Sequence, residues 1–151
     1  MSQLKRILLA EDDPRSVELA LIALDEYNLA NEVVAVEDGE EALDYLFRRG
    51  SFADRPEGNP AVVLLDLKMP KVDGLEVLSA IRADEALRTL PVVILTASSE
   101  QRDLVESYNL GVNAYVVKPI NFQEFIRAVR EIGLFWAIIN EAPPGSVSKP
   151  R

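Results

Sequence analysis

The chain has 151 residues, 48% of them hydrophobic, which suffices for one domain with its own core and is too apolar for a disordered chain. With 16 basic against 25 acidic residues the net charge is −9, which argues against a nucleic-acid-binding face. There is no cysteine and no histidine, so disulfides, thiolate nucleophiles, Ser-His-Asp catalysis, histidine phosphotransfer and Cys- or His-ligated zinc are excluded. Any metal must bind through oxygen, which favours Mg²⁺, Mn²⁺ or Ca²⁺.

Met1 to Arg6 leads straight into a first strand, with no signal-peptide architecture. The longest apolar stretch, residues 132–139, falls well short of the roughly 20 residues of a membrane span. A cytoplasmic protein with no membrane partner is expected. The first strand, Arg6 to Ala10, ends on Glu11-Asp12-Asp13-Pro14. Asp13 before Pro14 reads as a helix N-cap or as a further acidic ligand. Val17, Ala20, Leu21, Leu24 and Tyr27 then keep helical spacing.

A second strand is predicted over Glu32 to Val36. The connection at residues 48–60 is long for a helix-to-strand loop. The third strand, Ala61 to Asp66, is an apolar run closed by one carboxylate and followed by Leu67-Lys68-Met69-Pro70-Lys71-Val72-Asp73-Gly74. Asp73-Gly74 fits turn chemistry before a helix. Val92 to Thr96 and Ala114 to Val117 complete five strands; Ala97-Ser98-Ser99 follows the first of these and Lys118-Pro119 the second. Ser98 with Gln101 fits a capping box. In the last helix Phe122, Phe125, Ile126, Val129 and Ile132 keep helical spacing, and the apolar pattern continues through Leu134, Phe135, Trp136, Ile138 and Ile139. The domain is expected over residues 1–142, with a disordered tail over 143–151.

Five βα units predict a parallel sheet with helices on both faces. Parallel strands bring their C-terminal ends to one edge, where open α/β sheets bind ligands. That edge collects Glu11, Asp12, Asp66, Thr96 and Lys118. Two carboxylates about 4 Å apart repel by roughly 4 kcal/mol at an effective dielectric near 20, so the cluster must take up protons or a cation. Mg²⁺ is the abundant hard candidate. A divalent ion, an ammonium and a hydroxyl around one carboxylate suit phosphoryl transfer, with Asp66 as nucleophile.

Four motifs in order, Leu8-Leu9-Ala10-Glu11-Asp12-Asp13-Pro14, Leu64-Leu65-Asp66 through Gly74, Ile94-Leu95-Thr96-Ala97 and Val117-Lys118-Pro119, resemble the receiver domain of two-component response regulators. The resemblance spans residues 4 to about 132 and implies a flavodoxin-like, doubly wound (βα)5 fold. It implies that Asp66 accepts a phosphoryl group from a histidine kinase. Asp12, Glu11, Asp66 and the Lys68 backbone carbonyl would hold Mg²⁺, and Thr96 and Lys118 would contact the phosphoryl group. Tyr115 matches an aromatic that changes rotamer with Thr96, or is a plain packing aromatic. A cis Lys118-Pro119 peptide is expected. Lys68 and Ser98 match positions that tune phosphate lifetime. The receiver would be no conventional enzyme, although it catalyses its own phosphorylation and dephosphorylation.

The long loop, the Phe135-Trp136 extension and the Asn140-Glu141-Ala142-Pro143-Pro144 ending resemble the small regulators that partner bacterial and cyanobacterial phytochromes. That implies a phytochrome kinase as donor. It also implies a homodimer through the helices of the fourth and fifth βα units and Leu134, Phe135, Trp136, Ile138 and Ile139. A phosphorylation-independent pseudo-receiver is the alternative. A haloacid-dehalogenase-type phosphatase would need an acid where Lys68 stands, and a Rossmann nucleotide site would need glycine after the first strand.

Overall fold

The computed structural model describes residues 6–27, 29, 32–97, 101, 104–106 and 108–133. Its strands are β1 (Ile7–Ala10), β2 (Val33–Val36), β3 (Val62–Asp66), β4 (Val92–Thr96) and β5 (Ala114–Val117). They form one parallel sheet in the order β2-β1-β3-β4-β5. The first three strands each start one residue later than the sequence suggests, at Ile7, Val33 and Val62, a difference ordinary at the end of an element.

The helices are α1 (Pro14–Leu24), α2 (Gly39–Phe47), α3 (Gly74–Ala83) and a final helix (Phe122–Glu131). Residues 101 and 104–106, after β4, are also helical. Each of the four is started by a carboxylate or carboxamide that accepts from a free N–H of the first turn: Asp13 from Arg15, Asp38 from Glu41, Asp73 from Glu76 and Asn121 from Glu124. Asp73 and Glu76 bond each other's backbone, a full capping box, so Asp73-Gly74 marks a helix start. Asp13 is the N-cap, and Pro14 supplies a first position that needs no donor.

Strand side chains alternate between two apolar layers. Ile7, Leu9, Val62 and Leu64 pack on the side of α1 and the final helix, with Ala20, Leu24, Phe125 and Val129. Leu8, Ala10, Val63 and Leu65 pack on the side of α2 and α3, with Ala42, Leu46, Val77 and Ile81. Both faces are covered, so the strands read as unbroken apolar runs. No helix of the described residues is long and apolar enough to cross a membrane.

The final helix corrects one expectation. Its apolar pattern suggests continuation past Glu131, but the helix ends there, with Ile132 as its cap and Gly133 at φ +78°. Glycine takes that left-handed backbone without steric cost, which outweighs the apolar pattern. Leu134, Phe135, Trp136, Ile138 and Ile139 lie outside the described residues.

The long loop has internal order. Gly50–Phe52 form a 3₁₀ turn. The Arg55 guanidinium donates to the carbonyls of Tyr45, Leu46, Pro56 and Gly58, and sits 4.2 Å from the Tyr45 ring centroid. It ties the loop back onto α2.

Candidate functional site

The C-terminal edge of the sheet gathers the charged strand ends. Glu11 and Asp66 are 1% and 4% exposed, in contrast to Asp12, which is exposed. One carboxylate oxygen from each of the three lies within 4.8 Å of the others. The set is hard, all-oxygen and negatively charged, so it fits a divalent cation. Lys118 spans the cluster: its Nζ is 3.2 Å from Glu11 Oε1 and 3.2 Å from Asp66 Oδ1.

The electrostatics follow from burial. Desolvation pushes the Glu11 carboxyl up to about 7; the Asp13 N–H, donating to Oε2, pulls it back, Asp66 adds to the rise and Lys118 opposes it. Burial also works against the Lys118 ammonium, but Asp66 and Glu11 outweigh it and its pKa is raised. Near neutral pH the site therefore holds one firm cation and one carboxylate poised between charge states.

Backbone contacts set these positions. Glu11 N–H donates to the Val36 carbonyl at 3.0 Å, and Lys118 N–H to the Thr96 carbonyl at 2.7 Å. The Lys118-Pro119 peptide is cis, as expected. A Cβ on Gly74 would lie 2.3 Å from the Asp66 carbonyl oxygen, so only glycine lets the loop after β3 return so close to the strand end.

The remaining predicted residues fall nearby. Thr96, 1% exposed, ends β4; the neighbouring pair in register is Asp66 and Leu95. Tyr115 is half-buried, pairs with Ile94, and its carbonyl accepts from Arg127 Nη2 at 2.6 Å. Thr96 and Tyr115 line one cavity of about 420 Å³, with Glu106, Val117 and Arg127. Lys68 is exposed. Ser98 lies outside the described residues; Gln101 does reach back, accepting from Ala97 N–H at 2.7 Å.

The response regulator receiver domain family model matches residues 7–130. The chain is a response regulator receiver. The Probable methanogenesis regulatory protein FilR2 of Methanothrix harundinacea is 41% identical over 91% of this chain and 86% of that protein. Response regulator Rcp1 of Synechocystis sp. is 36% identical over 87% and 88%. Among solved structures, the bacteriophytochrome response regulator RtBRR is 60% identical, with a TM-score of 0.85, covering 95% of this chain and 87% of that one. The Mn²⁺-bound form of Rcp1 is 34% identical, with a TM-score of 0.66, covering 97% and 99%.

Receivers are signalling phosphoacceptors that bind a divalent metal through an acidic cluster, and Glu11, Asp12 and Asp66 form an acidic cluster in this chain. Two features escape the sequence pattern. Lys118 bridges Glu11 as closely as Asp66, and Gly74 and Gly39 each allow a backbone approach that any side chain would block. The available signal is the Asp-Gly pair at 38–39 and again at 73–74.

Proposed function

We propose that Asp66 is the phosphoacceptor and that the donor is the phosphohistidine of a phytochrome-type histidine kinase. Lys118 carries this reading: one ammonium lies between the Asp66 and Glu11 carboxylates at a strand-end edge. An Asp66 oxygen attacks phosphorus, the N–P bond of the donor breaks, and the imidazole leaves with that electron pair. Lys118 Nζ neutralises one phosphoryl oxygen, and the Thr96 hydroxyl donates to another. Glu11, Asp12, Asp66 and the Lys68 carbonyl would hold Mg²⁺, which supplies charge neutralisation at the phosphoryl oxygens. Water attacking the same phosphorus would return free phosphate, making the receiver its own slow phosphatase.

Thr96 drawn toward phosphate would vacate space beside Tyr115, and the cavity they share gives that ring room to turn. Leu104, Tyr108 and Val117 are 52%, 56% and 54% exposed, an apolar set suited to protein contact. A cytoplasmic homodimer through this region and Leu134, Phe135, Trp136, Ile138 and Ile139 is the proposed output. RtBRR, named as a bacteriophytochrome response regulator, supports the choice of kinase.

Incubation with Mg²⁺ and acetyl phosphate should add the mass of one HPO₃ group. No adduct, or an equal one in Asp66→Asn, overturns the phosphoacceptor reading. Transfer from a phytochrome kinase no faster than from unrelated kinases overturns the donor. A wild type that is monomeric at micromolar concentration, or a Trp136→Glu variant that still dimerises, overturns the interface.

A further inference from the structure

The turn from β2 to α2, residues 36–40, gives no carboxylate to the acidic cluster, yet it touches both chain segments that do. On one side the Val36 carbonyl accepts from Glu11 N–H at 3.0 Å. On the other, Gly39 lies against the loop that follows Asp66. A Cβ there would stand 1.9 Å from the Val72 carbonyl oxygen, a contact with backbone that no rotamer change can relieve. The loop is anchored from below, since Leu67 and Met69 are buried in the α2–α3 layer.

Charge holds the same junction. Lys71 takes φ +68°, a left-handed conformation that costs a lysine energy and needs support from its surroundings. Its Nζ is 3.6 Å from Asp38 Oδ2 and 3.8 Å from Glu40 Oε1. Asp38, 8% exposed, serves both sides of the junction, because Oδ1 accepts Glu41 N–H at 2.8 Å and caps α2 while Oδ2 faces Lys71. The start of α2 is thereby fastened to the loop carrying Lys68.

We propose that this turn positions the metal site: Gly39 and the Asp38–Lys71 pair fix where residues 66–74 present the Lys68 carbonyl relative to Glu11 and Asp12. The inference rests on the reading of that cluster as the metal site. These three residues touch neither metal nor phosphoryl group and act only through the segments they hold.

Calorimetric titration of the full chain with Mn²⁺ tests it. Gly39→Ala should weaken binding by about tenfold, the scale of lost outer support around a metal. A folded Gly39→Ala variant with wild-type affinity overturns the proposal. Should that variant fail to fold, Lys71→Met decides. Removing a nearby cation would tighten cation binding if charge alone mattered, so positioning predicts the opposite sign: weaker binding, restored in Lys71→Arg. Unchanged or tighter binding in Lys71→Met overturns the proposal. A wild type that binds no Mn²⁺ overturns the site reading itself; wild-type binding with unaffected variants overturns only the positioning role.

Discussion

The two edges of the sheet use the same kinds of residue to opposite ends. At the N-terminal edge Arg82 commits every donor of its guanidinium to fixed acceptors: the carbonyls of Leu110, Arg88, Leu90 and Gly111, and Asn113 Oδ1. That arginine joins α3 to the approaches of β4 and β5, and nothing in its guanidinium is left to react. At the C-terminal edge Lys118 faces two buried carboxylates, one of them with its pKa pushed up to about 7. A saturated cation is a fastener; an under-supplied cluster is a site.

The contrast can be broken in order of expected effect. Lys118→Gln should slow phosphorylation by acetyl phosphate about a hundredfold, the usual cost of one lost transition-state donor, as read from the adduct time course. A near-normal rate would remove Lys118 from the chemistry. Arg82→Met should cost about 3 kcal/mol of stability in urea, since five acceptors, two of them the part-buried Leu90 and Leu110 carbonyls, lose a charged donor, with the adduct rate unchanged. A slowed rate would show that the two edges are coupled.

Glu11→Gln sharpens the electrostatic half. The Glu11 pKa rises on folding from 4.5 to about 7, so below the lower value both states are protonated and no penalty exists. Between the two values unfolding releases a proton, and stability falls as pH rises, levelling off above the folded pKa. Without divalent metal, Glu11→Gln should therefore match wild type near pH 4 and exceed it at pH 8 by up to about 3 kcal/mol. A constant difference across pH in chemical denaturation would refute this. Smallest is Arg55→Ala, which should cost about 1 kcal/mol and leave phosphorylation untouched, because its hydrogen bonds fasten the loop after α2 to the far end of that helix. A change in adduct rate would make that loop part of the site.

Strand ends are legible because a buried parallel strand must be apolar until it reaches the edge, so Asp66 and Thr96 stand out as the first polar residues after each run. Helix starts are legible through Asp13 and Asp73, whose side chains act within three residues of themselves. Arg82 and Arg55 are not, since their partners are backbone carbonyls, and a carbonyl leaves no mark in sequence. Arg82 Nη2 meets Asn113 across 31 positions. Gly39 is commonplace in sequence; its meaning comes from Val72, on another loop. The helix end at Glu131 shows the reverse failure, where apolar spacing masks the local signal of Gly133.

Lys118 has a bearing on ion selectivity. Its ammonium is a tethered competitor, held beside the carboxylates at the high effective concentration that a short stem imposes. A monovalent ion arriving from solution brings no more charge than the lysine already provides, and must also meet the cost of leaving bulk water. A divalent ion brings twice as much. On these terms sodium and potassium are expected to compete poorly for the cluster, with no size filter needed, because a single positive charge already stands beside the carboxylates.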